Sequence, residues 1–97
     1  MATYVILMNF TEQGMKTVKE SPARVKGMYQ TVEAAGGKIL AVYATMGSYD
    51  LVAIAEGPND QVAMGVLLGM GMAGNVRTTT LKAFSMEEFG ALVQRLP

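Results

Sequence analysis

Lys38-Ile39-Leu40-Ala41-Val42-Tyr43-Ala44-Thr45-Met46-Gly47-Ser48-Tyr49-Asp50-Leu51-Val52-Ala53-Ile54-Ala55-Glu56 reads as two strands folded on a turn. Lys38 to Met46 and Leu51 to Glu56 are rich in β-branched and apolar residues. Gly47-Ser48-Tyr49-Asp50 has the residue types that reverse a chain. On both strands the two alternating faces are apolar: Ile39, Ala41, Tyr43 against Leu40, Val42, Ala44, and Val52, Ile54 against Leu51, Ala53, Ala55. A strand that is apolar on both sides is covered on both sides.

Working outward, a helix flanks the hairpin on each side. Ser21-Pro22 offers an N-cap and a proline at the first helical position. Val25, Met28, Tyr29, Val32 and Ala35 then fall on one helical face, and Gly36-Gly37 ends the run. After the hairpin, Gly57-Pro58-Asn59-Asp60 turns into a helix from about Gln61 to Gly71, with Asn59 or Asp60 as cap. Val62, Met64, Val66, Leu67, Leu68 and Met70 surround that helix, so it is expected to be buried all round, one side on the sheet and the other against something a domain this small does not itself supply; Gly74-Asn75 closes it. Gly65 and Gly69 have the spacing that permits close packing against a sheet or another helix.

One further strand stands at each end, Thr3 to Phe10 and Val76 to Phe84. Thr11 caps a short helix after the first. Ser85-Met86-Glu87-Glu88 is a capping box opening a C-terminal helix, with Phe89, Leu92, Val93 and Leu96 on one side. The order β-α-β-β-α-β predicts a single α+β domain over residues 1–97, with a ferredoxin-like four-stranded antiparallel sheet. Both long helices then cover one face of the sheet, and the other face is left apolar and bare. The expectation is a homodimer pairing sheet against sheet, within a larger homo-oligomer if further apolar surface is also covered.

Composition agrees. Of 97 residues, 51% are hydrophobic and 16% charged, so too few polar residues are present to coat so small a domain. Eight acids balance eight bases with no basic stripe, which argues against a nucleic-acid partner. The chain has no cysteine and no histidine, which removes thiolate chemistry and the commonest metal ligand, haem ligand and general base. No metal or cofactor is expected. Met1 to Phe10 lacks the marks of a leader peptide, and the uncharged stretch Gln61–Val76 is short and glycine-broken for a bilayer span. These features point to a soluble, cytoplasmic protein without a membrane partner.

Candidate site residues are few. Asp50 could act as a general base and Tyr49 as an acid or stacking platform. Alternatively Gly47 turns the hairpin, Asp50 accepts backbone hydrogen bonds, and Tyr49 packs. Arg77 could clamp a ligand carboxylate or phosphate, or pair with Asp50 or an interface acid. The nine methionines are spread over every element and read as filling for core and interface.

With its elements placed, the chain resembles the GYD domain family of small bacterial proteins. The resemblance rests on Thr11-Glu12-Gln13-Gly14, Ser21-Pro22-Ala23-Arg24, Gly36-Gly37, Gly47-Ser48-Tyr49-Asp50, Glu56-Gly57-Pro58-Asn59-Asp60 and Gly74-Asn75-Val76-Arg77-Thr78-Thr79-Thr80, in order along one chain. It implies a dimeric α/β-barrel fold and no established activity. Three functions stay open: a homo-oligomeric small-molecule binding or accessory protein with Tyr49, Asp50 and Arg77 near a cavity between sheet and helices; a cofactor-independent oxygenase or isomerase using the Asp50 and Tyr49 pair; and an oligomer whose role is structural.

Overall fold

The computed structural model describes residues 1–97. Its elements are β1 (Ala2–Phe10), α1 (Glu12–Lys16), a 3-10 turn (Val18–Glu20), α2 (Ser21–Ala34), β2 (Lys38–Ala44), β3 (Leu51–Gly57), α3 (Asp60–Ala73), β4 (Val76–Ala83) and α4 (Met86–Gln94). The sheet has four antiparallel strands in the order β2-β3-β1-β4, the ferredoxin-like arrangement expected from the element order.

Residues directly opposed in the ladders share a face. Tyr4, Ile6 and Met8 of β1 oppose Ala55, Ala53 and Leu51 of β3, and with Ile39 they form the buried core. Val25, Met28 and Val32 of α2 and Ala63, Leu67 and Met70 of α3 pack onto this face. The opposite face carries Val5 and Leu7 of β1, Val52 and Ile54 of β3, Ala41 and Tyr43 of β2, and Leu81 of β4. No helix covers it, and Tyr43 and Leu81 are 61% and 49% exposed.

Three details differ from the sequence reading. A bulge between Ile39 and Ala41 pushes Leu40 outward, so Ile39 and Val42 share the helix side instead of alternating away from each other. β2 stops at Ala44: the Thr45 hydroxyl donates to Tyr49 O across the loop, and Met46 lies fully in the open. Ser21 is the first residue of α2 rather than its cap: it already has helical backbone angles, because the 3-10 turn feeds straight into the helix. The second side of α3 finds no cover within its own chain, as the sequence reading expects of so small a domain: Met64, Leu68 and Met72 are 57%, 61% and 88% exposed.

The other caps form as read. Thr11 accepts from the Gly14 amide, Asn59 from Val62, and Ser85 and Glu88 complete the capping box. Gly74 ends α3 at φ +82°, a left-handed conformation that glycine adopts without strain. α4 makes at most marginal contact with the rest of the chain and extends a molecule 52 Å long and 18 Å thick. No helix is long and apolar enough to cross a membrane.

Candidate functional site

Segments far apart in sequence meet where β1 ends. The Thr11 amide donates to the Asn75 carbonyl at 3.0 Å, and the Thr11 hydroxyl to the Gly74 carbonyl at 2.5 Å. Gln13 Nε2 donates to Ala73 O and Asn75 Oδ1 at 3.1 and 3.0 Å. Gly14 lies so close that a Cβ there would overlap the Asn75 carbonyl oxygen. Arg24 reaches in from α2 and donates to Thr17 Oγ1, Ser21 Oγ and the Gly14 carbonyl, at 2.9, 3.2 and 3.3 Å. All its partners are neutral oxygens.

Asp50 joins the same end from the hairpin. Its Oδ2 accepts from the Phe10 amide at 2.9 Å, and its own amide donates to the Met8 carbonyl at 2.9 Å. The hairpin closes through Thr45, whose amide donates to Asp50 O and whose hydroxyl donates to Tyr49 O, while Gly47 takes φ +104°. Asp50 therefore extends the β1–β3 pairing by one step past Leu51. The turn-and-backbone reading of Asp50 describes these contacts.

Arg77 opposes Asn9 on the bare face of the sheet and is exposed. It does not pair with Asp50: the two ion pairs of the chain are Lys16–Glu12 and Lys82–Asp60. Asp50 leads into β3 and Arg77 lies near the start of β4, at the same end of the sheet, with β1 between them.

A cavity between the sheet and the helices is present. It is a groove of about 750 Å³ separating α2 from α3. Val25, Met28 and Val32 form one wall, and Val62, Val66 and Met70 the other, over a floor of Phe10, Leu51 and Val76. Of its polar residues, Ser21, Arg24 and Asn75 lie at the end where β1 stops, and Thr31 stands further along α2. Tyr49, Asp50 and Arg77 do not line it, although Leu51 and Val76, neighbours of Asp50 and Arg77 in the chain, do. Gly65 and Gly69 border the groove with open space where a Cβ would stand, so within this chain their spacing does not bring any element close.

Sequence reading misses a second polar cluster at the opposite end. The Tyr4 hydroxyl donates to Asp60 Oδ1 at 2.5 Å, and Lys82 Nζ meets Asp60 Oδ2 at 3.1 Å. These bonds join β1, the start of α3 and β4. The Tyr4 and Lys82 bonds hold the Asp60 carboxyl below its ordinary range, and the same Tyr4–Asp60 bond, then desolvation, raises the Tyr4 hydroxyl. Tyr4 reads in the sequence as one apolar position among several, and only a buried hydroxyl's need for a partner hints at the link. Arg24 likewise reads as a solvent-facing residue off the helical stripe, though it belongs to one of the motifs that carry the family resemblance. No group of histidine, cysteine, aspartate and glutamate side chains is arranged to hold a metal.

These features define a ferredoxin-like α+β domain with a bare apolar sheet face, an apolar interhelical groove, and motifs that tie its β1 end together. The chain belongs to the GYD domain family, which its residues 4–93 match. It is 31% identical over 97 residues, covering 99% of both chains, to a Thermus thermophilus protein named glutamine synthetase and cystathionine beta-lyase binding protein. Among solved structures it resembles the crystal structure of TTHA0845 from Thermus thermophilus, with a TM-score of 0.55 and 24% identity, covering 88% of this chain and 95% of that one. The structural likeness speaks to the fold alone.

Proposed function

We propose that this GYD domain protein is a homo-oligomeric accessory subunit that binds other proteins. The observation that carries this reading is the methionine-rich stripe Met64, Leu68 and Met72, which stands in solvent along α3 of a chain with little charge. Methionine is unbranched and polarizable, so such a stripe adapts to a partner's surface. An apolar surface of this kind marks interaction sites on small soluble domains. The curated relative is named for binding two enzymes, which supports the same role here.

The homo-oligomer forms through the bare sheet face. Val5, Leu7, Val52, Ile54 and Leu81 supply a contiguous apolar surface, at about 25 cal/mol per Å² removed from water. Arg77 lies at one end of this face and Glu56, opposite Lys38, at the other. Sheets mated with antiparallel strands bring each arginine toward the partner's glutamate, which favours that orientation.

A binding role has more support than a cofactor-independent enzyme. Asp50, the candidate base, has a carboxylate oxygen engaged by a backbone amide, and neither it nor Tyr49 lines the groove. A small anionic ligand at Tyr49, Asp50 and Arg77 is the second reading, favoured by an Arg77 guanidinium that has no ion-pair partner.

Calorimetric titration of purified glutamine synthetase and cystathionine beta-lyase with this protein tests the first reading. Saturable binding to either enzyme, abolished by Leu68→Glu, is expected. Heats of dilution alone with both enzymes, together with a thermal shift by a small carboxylate that Arg77→Ala removes, would favour the second.

A further inference from the structure

We propose that α4 of one copy lies in the groove between α2 and α3 of a second copy. This goes beyond the accessory role and does not rest on the sheet pairing, because it uses different surfaces.

Two unmet needs of the same chain match. α4 has nine residues, fewer than the roughly 12–15 that sustain a helix alone in water, and it gains almost nothing from its own domain. Phe89, Leu92, Val93 and Leu96 are 52%, 45%, 46% and 69% exposed on it. A helix with a good cap and an apolar stripe but no support needs a surface to lie on. The groove supplies one. Its walls are apolar, and at Gly65 and Gly69 the α3 wall has open space where side chains would stand, so a third helix can approach closely.

Charge sets the direction. Arg24 is the charged residue of the lining, at the β1 end, and its bonds all go to neutral oxygens. α4 begins with Glu87 and Glu88. Glu88 is committed to its own cap, which leaves Glu87 free to meet Arg24. With α4 starting at the Arg24 end, its stripe runs along the valine and methionine walls. A helix this short is about 13 Å long, and reciprocal exchange between two copies doubles the area that one such helix in one groove covers.

The chain has no cysteine, so single cysteines can be placed cleanly. Leu92→Cys and Gly69→Cys chains are mixed and treated with a short bismaleimide. Linked dimer is expected on the order of 100-fold faster than with a Met46→Cys control on the exposed hairpin loop. Gly65→Leu added to the Gly69→Cys chain sets its Cβ in open space, projects a bulky side chain from the α3 wall and should remove the excess. Linking no faster than the control overturns the proposal. So does linking confined within one chain when both cysteines are on it, which would place α4 in its own groove. Retention of the excess with Gly65→Leu also overturns it. An apolar dye bound equally by the wild type and by Phe89→Glu would mean that the groove stands open to other ligands, and that result too overturns the proposal. Sheet-face variants leave this readout unchanged, so the two contacts fail separately.

Discussion

Gly14 and Asn75 meet backbone against backbone. A Cβ on Gly14 would overlap the Asn75 carbonyl oxygen, the same oxygen that accepts from the Thr11 amide at 3.0 Å. The clash is with main chain, which cannot swing aside. Gly14→Ala should therefore cost about 2–3 kcal/mol, as overpacking against a fixed neighbour does. Thermal unfolding should show a midpoint lowered by roughly 10 °C or more. An unchanged midpoint would mean that α1 does not hold the α3–β4 corner.

Asp50 gives a pair of opposed expectations. Asp50→Ala leaves the Phe10 amide without its acceptor and should cost about 1–2 kcal/mol. Asp50→Asn keeps a carbonyl oxygen in place and should cost less than half as much. Denaturant titration separates the two. If both variants match the wild type while a ligand or catalytic signal disappears, Asp50 serves chemistry rather than the hairpin.

The Tyr4–Asp60 bond predicts a pH signature. Asp60 has its folded-state pKa lowered, so its contribution is present above the ordinary carboxylate value of about 3.9 and is lost as pH falls through the folded value. Tyr4 has its pKa raised, so its contribution is present below about 10 and is lost as pH rises through the folded value. Tyr4→Phe should flatten both limbs of the stability profile and move the Asp60 carboxyl titration, followed by NMR, back toward the ordinary range. A titration that stays put would show that Lys82 alone sets it.

Thr80 makes the reverse case. Its hydroxyl lies on the helix side of β4, opposite Ile6, buried and without a partner in the protein. Thr80→Val removes the unpaired hydroxyl and keeps the branched shape, so stability should rise by about 1 kcal/mol. A loss of stability in denaturant titration would mean that the hydroxyl is bonded to a trapped water.

Much of the fold is legible because it is written in local patterns. The hairpin, the caps at Thr11, Asn59 and Ser85, and the glycine ends of both long helices depend on neighbours a few residues apart. The Leu40 bulge is not legible, because Ile39 to Met46 reads equally well as an unbroken alternation. Nor is the convergence of the motifs: Thr11-Glu12-Gln13-Gly14, Arg24 and Gly74-Asn75 look like separate loops until topology brings them together. Tyr49, Asp50 and Arg77 stand out by residue type, and type alone does not place them outside the groove. The bareness of one sheet face and the excess of apolar surface on α3 and α4 follow from composition before any coordinate.

That bare face is where the account is most exposed. Sedimentation equilibrium at micromolar concentration, on the wild type and on Ile54→Asp, tests it most directly. The wild type should sediment at no less than twice the 10.3 kDa chain mass, with no folded monomer, and Ile54→Asp should lose the association made through the sheet. A well-folded wild-type species at the mass of one chain, with Val5, Leu7 and Ile54 open to water, would contradict the account.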